Sequence, residues 1–292
     1  MNRLIRLTLA IVLLLAISSV AIAQNFYAHL VMGNPSGAKE DASEKDNYLM
    51  KKPCFALSYN NSKGMPNWVS WHLTAEELGK AKRVPFYPDD TLPDGFNRIV
   101  PKDYTNSGFD RGHMCPHSDR NKNLTLSKAT FVMTNIIPQT AGVNRHAWEQ
   151  LEIYCRNLVT DEDKDLYVIS GPAEKGGHGS NGFKTNIAHG KVTVPAHCWK
   201  IILVLDKSDG DDPSKDAARV DDNTRIIAVN MPNVEGVGED WSKFRTSVKE
   251  IEQLTGFKFF DKVPDNIIGP LKEVVDDEDV DVPEPVHHGS QG

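Results

Sequence analysis

No two of the chain's four cysteines (Cys54, Cys115, Cys155 and Cys198) stand as a CxxC pair, which argues against a structural zinc site. Beyond the first two dozen residues no apolar stretch approaches the roughly 20 residues that cross a bilayer. Internal repeats and low-complexity segments are missing before the C-terminal end, which favours one ordinary domain with ample material for a core. A basic excess is lacking too: 33 Lys and Arg stand against 40 Asp and Glu, for a net charge of −7. Nucleic-acid binders usually carry a basic surface, so composition alone argues mildly against such a partner unless positive charge is gathered locally.

What is present begins with a leader. Arg3 and Arg6 precede an apolar run from Leu7 to Ile17, and Ala21-Ile22-Ala23 precedes Gln24. That pattern predicts a secretory signal peptide over residues 1–23, and hence a soluble, exported protein that is secreted or held in a periplasm. Export permits disulfides, and four cysteines allow three full pairings, but spacing does not choose among these and buried free thiols. Residues 24–271 form the expected domain. The last segment, 272–292, holds one lysine against seven acidic residues and reads as a disordered acidic tail, its His287 and His288 included. The core sits near −3 once leader and tail are set aside.

Short β-rich runs recur at Cys54–Tyr59, Trp68–Leu73, Phe131–Asn135, Leu166–Ser170, Lys191–Val194, Trp199–Leu205 and Arg225–Asn230, and each predicts a strand. Apolar residues at helical spacing predict one helix over Arg145–Leu158. Another is expected to start from an Asp240 cap, with Trp241, Phe244, Val248 and Ile251 on one face and Gly256 after its end. Thr74 and Glu77 offer a capping box for a shorter turn. Strands and helices do not alternate regularly, so the expected class is α+β, a mixed, largely antiparallel central sheet flanked by helices.

Asp110-Arg111-Gly112-His113 packs an acid, a base, a flexible link and an imidazole between the turn Asn106-Ser107-Gly108 and a polar stretch expected to be a loop. Alone, the tetrapeptide suits a salt-bridged turn equally well. About thirty residues on come Thr134-Asn135-Ile136-Ile137-Pro138-Gln139 and then Val143-Asn144-Arg145-His146, with Glu152 further along. On a helix beginning near Asn144, Glu152 lies about 80° around the axis and roughly 12 Å along it, so both can face one cleft. On helix logic alone Asn144 would merely be a cap, Trp148 is core, and His117, His146, His178, His189 and His197 lack partners at ligand spacing.

Together these segments resemble the DNA/RNA non-specific endonucleases of the ββα-metal (His-Me finger) class, which includes mitochondrial endonuclease G, and most of all their secreted cyanobacterial branch. Gly33-Asn34-Pro35-Ser36-Gly37, Tyr59-Asn60-Asn61-Ser62-Lys63-Gly64, Asn67-Trp68-Val69-Ser70-Trp71 and Leu254-Thr255-Gly256 carry the resemblance beyond the DRGH box, from about Leu30 to Ile267. It implies a ββα-metal motif and hydrolysis of DNA and RNA, double- and single-stranded, with little sequence preference. The implied cofactor is a single Mg²⁺, with Mn²⁺ as a substitute. It further implies His113 as general base, Asn144 as direct metal ligand and Glu152 as an acid near the metal and its waters. Arg83 would be a phosphate contact and Asp110 a support. A proteinaceous inhibitor belongs to the same expectation; oligomeric state does not follow from it. Arg83 is chosen over Lys80 and Lys82 because it precedes Phe86-Tyr87-Pro88-Asp89, although the family's second basic residue there is Tyr87 in this chain.

The roles are physically coherent. Phosphodiester hydrolysis needs an activated water, neutralised charge on phosphorus and help for the departing O3′. A positioned histidine supplies about 3–5 kcal/mol of the order of 20 kcal/mol required, so electrostatics must carry most of the rest. Mg²⁺ prefers oxygen ligands and retains waters, which suits a single neutral amide from Asn144. The planar fork of Arg83 suits phosphate. No recognition helix or zinc-finger motif is present, as expected where contacts go to phosphate and sugar. A catalytically silent binding protein on the same fold is the alternative, and the intact set of His113, Asn144 and Glu152 argues against it.

Overall fold

A computed structural model of the chain describes residues 28–208 and 212–280; the expected signal peptide (1–23) and residues 281–292 of the acidic tail lie outside them. The strands, in chain order, begin with β1 (Tyr48–Lys52), β2 (Phe55–Asn60) and β3 (Met65–Leu73). Next come β4 (Asp110–His113), β5 (Ile136–Gln139) and β6 (Lys164–Ala173). Four short strands follow, β7 (Gly177–Gly179), β8 (Gly182–Lys184), β9 (Asn186–Ile187) and β10 (Val192–Thr193). The last are β11 (His197–Asp206), β12 (Ile226–Pro232) and β13 (Arg245–Thr246). Seven of them make one sheet in the order β1-β2-β3-β6-β11-β12-β13, antiparallel at every pairing. The α-helices are α1 (Leu124–Thr130), α2 (Trp148–Asp161), α3 (Val248–Thr255) and α4 (Asp265–Glu273). The architecture is the expected mixed α+β class.

The sheet is covered on both faces, and the two-residue period of its strands sorts their side chains between two cores. Val69, Trp71 and Ile202 join Trp148, Leu151 and Leu158 of α2 on one side. Trp68, Trp199 and Ile201 join Val248 and Ile251 of α3 and Ile268 of α4 on the other. This explains why β6 and β11 are apolar almost without interruption: nearly every residue in them is buried.

Several local expectations yield to tertiary contacts. Phe131–Asn135 is not a strand: Met133–Asn135 is a 3₁₀ turn and extended pairing starts at Ile136. The buried Asn135 amide donates to the Thr130 and Cys115 carbonyls and accepts from the Cys115 N–H, and these bonds fix the turn. The helix expected from Asp240 is split. Asp240 caps only the 3₁₀ turn Trp241–Phe244, Arg245–Thr246 pairs with β12, and Ser247 with Glu250 makes the capping box of α3. Gly256 ends that helix at φ 74° as expected. Thr74 precedes a 3₁₀ turn, Ala75–Glu77, and contributes no side-chain cap.

The first part of the segment assigned to a disordered tail is also docked. Asp276, 3% exposed, is paired with Arg225 at 2.7 Å and Arg245 at 3.1 Å, and Val275 bridges Ser247. The four cysteines are buried free thiols; burial pushes Cys54, Cys155 and Cys198 up to about 12 and Cys115 well above its ordinary value. Among the described residues no helix is long and apolar enough to cross a membrane.

The C-terminal end of β3 carries a pH-sensitive contact. His72 stacks flat on Tyr167 at 4.3 Å, and burial, reinforced by Arg120, holds it down at about 4 from 6.5. The unfolded chain therefore binds a proton from about pH 6.5 downward while the folded chain does not until about pH 4. Stability from this group is complete above pH 6.5 and is lost through that window, to a total of about 3 kcal/mol. Denaturant unfolding at pH 7 and pH 4 should show His72→Phe losing about 3 kcal/mol less than the wild type; equal losses would refute it.

Candidate active site

Asp110-Arg111-Gly112-His113 is not a salt-bridged turn but a strand, β4, paired residue for residue with β5: Asp110 with Gln139, Arg111 with Pro138, Gly112 with Ile137 and His113 with Ile136. Gly112 is required because a Cβ there would lie 1.9 Å from Gln139 Oε1. From β5 the chain turns through Thr140–Ala147 into α2, so β4, β5 and α2 form a strand-strand-helix unit. The turn is wide, with the Trp148 N–H donating to Val143 O, and His146 departs from helical dihedrals. The helix expected from Arg145 thus begins regularly only at Trp148, which is core as expected.

His113 is 9% exposed and packs against two rings that also touch each other, Phe86 at 5.1 Å and Phe131 at 4.9 Å and nearly perpendicular. Burial first, then the Arg83 guanidinium and His117, push it down to about 3. It is therefore neutral throughout the working range of most enzymes. Its Nε2 is buried without a hydrogen-bond partner.

Asp110 gathers two neighbours from the wide turn: Asn144 Nδ2 donates to its Oδ2 at 2.9 Å, and Arg145 donates through Nε at 2.8 Å and Nη2 at 2.7 Å. Burial raises the Asp110 carboxyl, but these hydrogen bonds and charges outweigh it and the net shift is downward. Because Nδ2 is committed to Asp110, the Asn144 amide is oriented and its Oδ1 is the acceptor left over.

Glu152, on α2, is pushed up to about 7 by burial, against the pull of Lys200 and with Asp119 adding to the rise. Lys200 is 1% exposed, lies 3.4 Å from Glu152 Oε1 and rests 4.2 Å over the Trp148 ring. Behind it Asp119 receives Arg156 at 3.0 Å and Trp71 Nε1 at 3.0 Å. Arg83 is exposed and lies 5.0 Å over the Phe131 ring.

A cleft of about 210 Å³ brings Arg83, His113, Asn144 and Glu152 together; Asp110 stands behind Asn144. Three arginines not singled out from the sequence, Arg111, Arg145 and Arg156, line the same cleft. Arg156 was legible in principle, since it follows Glu152 by four residues on one helix face. The four guanidiniums face two carboxylates, Glu149 and Glu152, so a chain of net charge −7 still offers local positive charge where an anion would bind. Of the other histidines, His117 lines the cleft and donates Nε2–H to Ala81 O at 3.1 Å, while His146 is paired with Glu239 and His197 with Glu174.

Among the described residues no three His, Cys, Asp or Glu side chains cluster to hold a metal. The oxygen donors lining the cleft are instead the spare Asn144 amide oxygen and the Glu149 and Glu152 carboxylates. They fit a hard cation that keeps most of its waters, and they do not fit a softer ion needing several side-chain ligands.

Residues 32–266 match the family model described as DNA/RNA non-specific endonuclease. A nuclease from Nostoc sp. is 46% identical over 85% of this chain and 86% of its own length. Nuclease C1 of Cunninghamella echinulata is 34% identical over 83% of this chain and 91% of its own. The crystal structure of an EndoG/EndoGI complex contains a chain that superposes with a TM-score of 0.64 at 26% identity, covering 82% of this chain and 93% of that one.

Proposed function

Because the chain belongs to the DNA/RNA non-specific endonuclease family and is thereby a nuclease, we propose that it is a secreted, Mg²⁺-dependent enzyme in which His113 draws the proton from the attacking water. The observation that carries this reading is a neutral His113 in a cleft with four arginines and the oriented Asn144 amide. The buried Nε2 is shut off from water, which leaves Nδ1 to take the proton. Water oxygen bonds to phosphorus, the proton passes to His113, and the P–O3′ bond breaks with its electron pair going to O3′. Arg83 and Arg156 donate to the phosphate oxygens. Asn144 Oδ1 would hold Mg²⁺ directly and Glu152 would hold one of its waters; when bound, the ion neutralises charge on the phosphate and the leaving oxygen.

Lys200, 3.4 Å from Glu152 Oε1, pulls the Glu152 carboxyl down against burial, which favours the carboxylate form needed to orient a water. Contacts of this kind read phosphate and not bases, consistent with both DNA and RNA as substrates. Export rests on the pattern of residues 1–23, and a proteinaceous inhibitor is suggested by the EndoG/EndoGI complex. Supercoiled DNA, single-stranded DNA and RNA should all be cut in Mg²⁺ or Mn²⁺ and all be spared in EDTA. No cutting in any divalent metal would leave a silent binding protein as the answer.

A further inference from the structure

The turn that carries Asn144 is held from outside by one loop. Residues 233–239, following β12, run beside Thr140–Ala147 and grip it repeatedly. The Thr140 N–H donates to Asn233 Oδ1 at 2.9 Å and Thr140 Oγ1 to Val234 O at 2.8 Å. The Gly142 N–H donates to Glu235 Oε2 at 2.8 Å, the Ala147 N–H donates to Gly238 O at 2.9 Å, and His146 pairs with Glu239. The loop is itself anchored, since Asn233 Nδ2 donates to Pro138 O at 3.0 Å and Pro195 O at 2.9 Å. The approach is close enough that a Cβ on Gly142 would lie 2.8 Å from Gly236 N and 2.9 Å from Glu235 Cα.

These bonds matter because the turn lacks the regular helical ladder. Its Gly142 N–H has no helical acceptor and is satisfied by a carboxylate 93 residues away. Two residues on, Asn144 and its neighbour Arg145 both reach Asp110, an arrangement that a regular helix, with successive side chains about 100° apart, would not give. Asn233 and Glu235 both bond the backbone between the β5 end and Asn144 without touching the cleft, and of the two Glu235 holds the residue nearer Asn144.

We infer that Glu235 is a positioning residue for metal binding: by accepting the Gly142 N–H it sets the turn that aims Asn144 Oδ1. The inference rests on the reading of Asn144 as the direct metal ligand. Mn²⁺ binding to the purified full chain without nucleic acid, followed by the paramagnetic resonance signal of the free ion, tests it. Glu235→Ala should weaken Mn²⁺ binding by about 10-fold. Glu235→Gln, which keeps the acceptor, should stay within about two-fold of wild type. In an Asn144→Ala background Glu235→Ala should have no further effect. Ser247→Ala removes the cap of α3 and serves as a control that lowers thermal stability without reaching the turn. Wild-type affinity in Glu235→Ala, equal weakening in Ser247→Ala, or a Gln variant as weak as Ala would overturn the role of Glu235. Unchanged affinity in Asn144→Ala alone would instead overturn the ligand assignment beneath it.

Discussion

Replacing His113 by alanine should lower the rate of supercoiled-DNA cleavage by about 10²–10⁴-fold in saturating Mg²⁺, a loss of about 3–5 kcal/mol of transition-state stabilisation. The ring is one of two imidazoles in the cleft, and the other, His117, is tethered through Nε2–H to Ala81 O. Its low affinity for a proton, set chiefly by burial against Phe86 and Phe131, has a second consequence. His113 itself should cause no loss of activity near pH 6.5, because it stays neutral down to about pH 3; a fall below about pH 7 would come from protonation of Glu152, which is pushed up to about 7. Removing a buried ring also opens a cavity, so His113→Gln, closer in volume, is the companion variant. It should lose as much rate with a smaller change in thermal midpoint. Cleavage within a few-fold of wild type in both variants would remove His113 from the chemistry.

The second large effect is expected at Asn144. Asn144→Ala removes both the spare amide oxygen and the donor to Asp110, and should reduce metal-dependent cleavage by about 10²–10³-fold. Asn144→Asp is the more discriminating change. A carboxylate is ordinarily a stronger ligand for Mg²⁺ than an amide, yet here it would set an acceptor against Asp110 Oδ2, where the wild-type chain has a 2.9 Å hydrogen bond. Repulsion between like charges at that separation should turn the side chain away and cost nearly as much as alanine. Asp110→Asn introduced together with Asn144→Asp restores a donor facing an acceptor and should recover at least about 10-fold of the loss, by the usual size of coupling between contacting residues. Additive losses in the double variant would show that the Asp110 contact does not orient residue 144.

Much of this was legible in the chain itself. The apolar runs at Leu166–Ser170 and Trp199–Leu205 were expected to be strands, and they lie within β6 and β11. The spacing from His113 to Asn144 to Glu152 is enough to place the three in one cleft once a ββα unit is assumed, and they do line one. The extent of the family resemblance, about Leu30 to Ile267, agrees with the matched residues 32–266.

What the sequence could not say follows from the range of the forces involved. Periodicity and capping report on neighbours within a few residues. They predicted a helix from Asp240 that was interrupted where Arg245–Thr246 found β12 and Asp276. The docking of Asp276 on Arg225, 51 residues away, was invisible in a composition that read simply as acidic tail. So was the Glu235 bond to Gly142, 93 residues away. Nothing in the run Trp199–Leu205 marked Lys200, which the fold sets against Trp148 and Glu152. By itself the sequence determined the family, most of the sheet's strands and the identity of His113, Asn144 and Glu152 as candidates. Only the tertiary structure decided that DRGH is a strand, that His113 is held neutral, and that four arginines from separate segments meet in a chain of net negative charge. Charge and burial at a site are sums over everything packed around it, and packing is a property of the folded chain.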